Sequence, residues 1–178
     1  AADAERAAAW AARYVLGAAE VAELLADAET AAFFEAGVAA GAAPSLMSAW
    51  VRSEVARRRN VGALGRITPA DVARVASMVA EGTITREAAR EVLDVIAAEG
   101  GVPDRIVAAR GLGSVVDEGA LDTAVRAVVA RFPAEVAKYR AGSAGVFGFL
   151  MGQVMAATGR RADPKAAGQV LRRVLDRG

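Results

Sequence analysis

Apolar residues recur at spacings of three and four along most of the chain. Val72, Val75, Ala76 and Val79 share one side of a 3.6-residue repeat, as do Val92, Leu93 and Ile96. Leu121, Val125 and Val128 form a third such stripe, and Ala167, Val170, Leu171, Val174 and Leu175 a fourth. No stretch shows the strict alternation of a half-buried strand.

Punctuation residues cut this pattern into short helices. The first is predicted over about residues 4–16, ending at Gly17, and the second around 18–26. Asp27 is placed to cap a third helix that carries Phe33 and Phe34 and stops near Gly41. Pro44 fits the first turn of a helix holding Leu46, Met47, Trp50 and Val51. Thr68-Pro69-Ala70-Asp71 combines a hydroxyl cap, a proline at the first helical position and an acid facing the positive dipole end. Thr85 caps the next helix, which Gly100-Gly101 ends, and Pro103 to Arg110 forms another. Asp117 opens a helix, Phe132-Pro133 turns into a short one ending near Tyr139, and Asp163-Pro164 starts the last. The fold class is therefore all-α. Gly111-Leu112-Gly113-Ser114 reads as a linker, giving a helical domain over 1–110 and a smaller domain of three to four helices over 114–178.

One helix is unusual. Ala141 to Gly159 holds no charge, and its glycines at 142, 145, 148 and 152 step along the chain by threes and fours. On one helix face they admit a close neighbour, either a ligand backbone or another helix. Tight helix packing is the favoured expectation, with Phe147, Phe149, Leu150 and Val154 supplying core. The run is long enough to span a bilayer, but its glycines together with Ser143, Gln153 and Thr158 favour a buried helix in a soluble domain.

Composition narrows the chemistry more than the fold. Of 178 residues 46 are alanine, which favours helices with thin contacts. Cys and His are both absent, which excludes a thiol nucleophile, disulfides, a histidine base and the usual Cys/His metal sites. Gly111-x-Gly113 follows no strand and has no third glycine at Val116, and no Gly-Lys pair exists to build a P-loop. Asp117-Glu118 reads as a helix start rather than a metal or acid–base pair. No catalytic constellation and no metal site is expected. The chain opens on Ala1 with a helical pattern and no secretory signal, and reads as a piece of a longer or processed protein.

Charge is sorted along the sequence. The net value is +1, but residues 1–50 carry −5, 51–66 carry +4, 67–137 carry −4 and 138–178 carry +6. In the last helix Lys165, Gln169, Arg172, Arg173 and Asp176 fall on one face, with Arg177 nearby. Arg160 and Arg161 precede that helix, and Lys138 and Arg140 end another. Clustered cations of this kind neutralise phosphates and gain from counterion release. Arg57-Arg58-Arg59 is a second candidate patch. With few aromatics for base stacking, a structured RNA read by shape is the expected partner.

The run from Gly148 to Met155, then Thr158-Gly159 and Ala162-Asp163-Pro164, resembles the C-terminal signature of the B subunit of bacterial aspartyl/glutamyl-tRNA amidotransferase, which YqeY-like proteins share in a related form. Ala32 to Glu35, Ala49-Trp50, Glu81 to Thr85, Glu91 to Leu93, Asp117 to Leu121 and Tyr139 to Gly142 match in family order. The resemblance implies a helical domain and a mobile tail that hold tRNA, the tail reaching the outer corner of the L-shape near the D-loop. It implies a tRNA-binding fragment that positions misacylated tRNA for ATP-dependent transamidation during protein biosynthesis, within a glutamine-hydrolysing C–N ligase. ATP and magnesium belong to a cradle domain that this chain does not resemble, so no cofactor is expected here. The implied partners are tRNA, an amidase A subunit and a small C subunit, with no membrane, in the cytoplasm. Arg160, Arg161, Lys165, Arg172, Arg173, Arg177, Lys138 and Arg140 are the candidate phosphate contacts. The chain departs from the family at Ser143 and Ala156, where members often carry Lys, and at Arg86-Glu87, where they often have Gly-Lys. The alternatives are a free-standing YqeY-like RNA-associated or protein-interaction module, and a scaffold that docks other proteins of the complex without touching RNA.

Overall fold

Apart from turns and loops, the described residues, 2–114 and 118–177, are helical throughout in the computed structural model. The all-α expectation holds. The elements are α1 Ala2–Tyr14, α2 Ala18–Leu24, α3 Ala28–Ala39, α4 Pro44–Trp50, a π-helical stretch Val51–Val55, α5 Ala56–Asn60, α6 Pro69–Ala80, α7 Arg86–Glu99 and α8 Pro103–Arg110. They are followed by α9 Glu118–Arg131, α10 Pro133–Arg140, α11 Val146–Ala157 and α12 Pro164–Arg177. The helix start expected at Asp117 lies outside the described residues.

The helix starts come from local chemistry. Asp27 accepts a hydrogen bond from the Thr30 amide at 2.7 Å. The Asp71 amide donates to Thr68 Oγ1, and the Thr68 amide donates to Asp71 in return, closing a capping box. Thr85 and Asp163 accept from the amides of Ala88 and Ala166. Each of these bonds satisfies an amide that the helix itself leaves without a partner.

The chain divides into two units. One comprises Ala1–Glu81 with Ala89–Arg110, the other Gly82–Ala88 with Gly111–Gly178. In the first unit Trp10, Tyr14 and Phe34 pack edge to face and tilted, with ring centroids 5.0 to 5.4 Å apart. Val21, Leu24, Met47, Trp50, Val72 and Val75 are buried in the same unit. On α6, Met78 is buried and Val79 half-buried, so the inward face is rotated slightly from the sequence reading.

The second unit packs α9, α10, α11 and α12 on one another. Its core is Leu121, Val125 and Val128 from α9, Val136 from α10, Leu150 and Val154 from α11, and Val170, Leu171 and Leu175 from α12. This apolar centre fixes which side of α12 faces solvent, and with it the basic side chains.

Candidate nucleic-acid interface

Helix α12 turns Lys165, Gln169, Arg172, Asp176 and Arg177 outward and holds Arg173 half-buried. Its cations do not share one side. Arg172 and Arg177 are five residues apart, about 140° around the helix. The Arg172 guanidinium lies over the Phe147 ring at 4.8 Å, on the α11 side. Arg177 lines a depression with Arg126 and Val129 of α9 and with Arg140.

The basic groups also divide along the helix axis. Arg140 Nε donates to the Leu175 carbonyl at 3.1 Å, which places Arg140 at the C-terminal end of α12. Arg160 and Arg161 precede its N-terminal end, and 14 residues of helix separate the two ends by about 20 Å. The cations therefore form two groups, one at each end of α12, with Arg172 on a flank between them.

What holds these groups in place is largely uncharged. Arg140 is pinned by a carbonyl that the end of α12 leaves free. Arg161 donates to the Gly111 carbonyl at 2.8 Å. Arg172 rests on an aromatic face, and Phe147 in turn lies 6.1 Å from Tyr139. Tyr139 donates to Asp176. Arg160 sits in the left-handed region at φ +59° after the end of α11. Among the described residues, none of Lys138, Arg140, Arg160, Arg161, Lys165, Arg172 and Arg177 forms an ion pair with a carboxylate. Their positive charge is left available.

The second candidate patch is different, and the expectation there is corrected. Arg57, Arg58 and Arg59 belong to α5, reached from α4 through the π-helical stretch. Arg57 pairs with Glu54, Arg58 with Asp94 at 2.8 Å, and Arg59 with Asp27 at 3.4 Å. Arg58 is buried and also donates to the Arg90 carbonyl. These arginines stitch the first unit together, and their charge is already neutralised within it.

A model of the GatB domain matches residues 32–175. That is most of the chain, and it decides the family. The chain belongs to the GatB domain family. It is similar to the B subunit of the aspartyl/glutamyl-tRNA(Asn/Gln) amidotransferase of Anaeromyxobacter dehalogenans, 39% identical over 168 residues, which is 90% of this chain and 35% of that protein. The proteins of the same name from Synechocystis sp. and Picosynechococcus sp. are 35% and 38% identical over 84% of this chain and 31% of their own length. The chain thus spans about a third of the length of the curated relatives it matches.

Within the GatB-like run, the glycine ladder does not do what its spacing suggested. Gly142 lies in a turn before α11 at φ +104°, a conformation that glycine adopts without the clash other residues meet. Gly148 and Gly152 are exposed on α11, and a methyl group built on either meets nothing within 4 Å. Tight packing against a neighbouring helix is overturned for these positions. Phe149, expected in the core, is 43% exposed, and its ring meets that of Phe132 edge to face with centroids 5.1 Å apart. Glycines that do permit a close approach lie in the first unit, Gly37 of α3 against the Met47 side chain of α4 and Gly65 against the Ala97 backbone.

Sequence reasoning missed Arg126, whose i,i+4 pair with Asp122 looks like ordinary helix-surface chemistry. Among the described residues no three Asp or Glu side chains gather to hold a metal ion, and the chain has no Cys or His to supply one. No helix among the described residues is long and apolar enough to cross a membrane.

Proposed function

We propose that this chain is the tRNA-holding part of an aspartyl/glutamyl-tRNA amidotransferase B subunit. In this reading the basic second unit grips the folded RNA while a separate cradle carries out ATP-dependent transamidation. The observation that carries it is the contrast between two sets of cations. Arg57, Arg58 and Arg59 are neutralised within the fold, whereas Lys138, Arg140, Arg160, Arg161, Lys165, Arg172 and Arg177 have no carboxylate partner among the described residues. Arg173, half-buried and already engaged, contributes mainly to the local field. Maintaining uncompensated charge in the segment 138–178, whose net charge is +6, opposes folding slightly and favours association with a polyanion.

The mechanism is positioning. Guanidinium groups held by carbonyls or an aromatic ring lose little freedom on meeting phosphate and bind it as a fork. Two cation groups about 20 Å apart suit the surface of a folded RNA better than a single phosphate. ATP and magnesium are assigned to the cradle, and the amidase A and small C subunits are the partners in the assembly, which works in the cytoplasm. The test is competition between a tRNA transcript and an unstructured RNA of equal length for the 178-residue chain. Preferential binding of the tRNA supports the reading. No binding to either, with co-purification of the amidase and its small companion, favours a docking scaffold instead.

A further inference from the structure

Three surface depressions on the second unit converge on Arg140. One of about 600 Å³ is lined by Val129, Pro133, Val136, Ala137, Arg140 and Ala141. A second of about 310 Å³ shares Val129 and Arg140 with it and adds Arg126 and Arg177. The third, about 460 Å³, continues past Tyr139 and Gly142. The first is lined mostly by aliphatic side chains and meets the second at Val129 and Arg140, and the second carries three guanidinium groups, those of Arg126, Arg140 and Arg177.

The charges of these three groups are unequal in their commitments. Arg126 Nε donates to Asp122 at 2.8 Å, so that cation is paired. Arg140 uses Nε on the Leu175 carbonyl, which fixes the plane of its guanidinium. Its two terminal nitrogens have no protein partner among the described residues, and Arg177 has no carboxylate partner. An occupant of this groove must place an anion at Arg140 and Arg177 and an apolar surface on Val129, Pro133 and Val136.

We propose that the groove receives one unstacked nucleotide of a folded RNA, phosphate on Arg140 and Arg177 and base on the aliphatic floor. This rests on the tRNA-holding reading and sharpens it. A continuous duplex offers phosphates to the guanidinium groups but keeps its bases stacked and out of reach of the floor, whereas a looped-out nucleotide offers both. The floor then supplies selectivity for RNA with unpaired nucleotides, which charge alone does not.

The test uses the 178-residue chain with two probes, a tRNA transcript and a blunt RNA duplex, titrated at several salt concentrations. Ala137→Trp fills the groove without changing charge, and Ala141→Phe fills the same groove from the end of α10; thermal melts check that both fold. Each filled variant is expected to lose roughly tenfold in tRNA affinity, the scale of one base contact, with unchanged salt slope and unchanged duplex affinity. Arg140→Gln is expected to reduce the salt slope by about 1 for both probes. Folded, filled variants that bind tRNA like the unmodified chain overturn the groove and leave RNA binding standing. Failure of the unmodified chain to bind either probe overturns both.

Discussion

Arg90 on α7 donates through Nε to Glu54 Oε1 at 3.0 Å, joining positions 36 residues apart. Glu54 lies in the π-helical stretch with its side chain 3% exposed, and Arg57 reaches its other oxygen. From this π-helical turn the carboxylate is presented to the interior beside the buried Val51 and Val55. Burial alone raises the Glu54 pKa, but the hydrogen bonds and charges of Arg90 and Arg57 outweigh it and hold the carboxyl below its ordinary value of 4.5. Glu54→Gln is expected to lower stability at pH 7 by about 2 kcal/mol, the scale of hydrogen bonds to charged groups, measured by urea melts.

The same pair sets a pH dependence. A depressed folded-state pKa contributes fully above the ordinary carboxylate value, and that contribution fades as pH falls through the folded value. Asp27, held down by the Thr30 amide and hydroxyl, acts in the same direction. Urea midpoints should therefore fall between about pH 5 and 3, by roughly these few groups' worth, and fall less in Glu54→Gln than in the unmodified chain.

Two glycines should respond with opposite signs. A methyl on Gly37 runs into the buried Met47 side chain, so Gly37→Ala is expected to cost about 1 kcal/mol even after its gain in helix propensity. Gly152 is exposed with open space beside it, so Gly152→Ala should stabilise α11 by about 1 kcal/mol. Thermal melts of the two variants moving apart would confirm the distinction.

Helix existence was legible because caps and stripes are local. Thr68 with Asp71, Asp27 with Thr30 and the stripe from Ala167 to Leu175 each act within a few residues. Long-range pairing was not legible. Nothing in Arg57-Arg58-Arg59 reveals that Glu54, Asp94 and Asp27 neutralise them, since two of those acids are about 30 or more residues away. The glycine spacing misled for a related reason: a period of three and four places residues on one face without saying whether anything covers it. The cation sites were legible as charge, but their division between the ends of α12 follows from how α10 and α11 pack around it.

Val15 adopts φ +56° while 87% exposed, in the turn after α1. A β-branched residue in this region is strained by about 1–2 kcal/mol, and an exposed valine recovers none of it through packing. Val15→Gly is expected to raise the melting temperature of the chain without altering RNA binding.

The salt dependence of tRNA binding tests the central claim most directly. Filter binding of the 178-residue chain to a tRNA transcript across a salt series is expected to give a steep negative slope of log affinity against log salt. Replacing Arg160, Lys165 and Arg172 together by alanine should make that slope shallower by about 3, while Arg57→Ala with Arg59→Ala should leave it unchanged. Equal slopes in the unmodified chain and the triple variant would contradict the assignment of tRNA binding to the basic surface of the second unit.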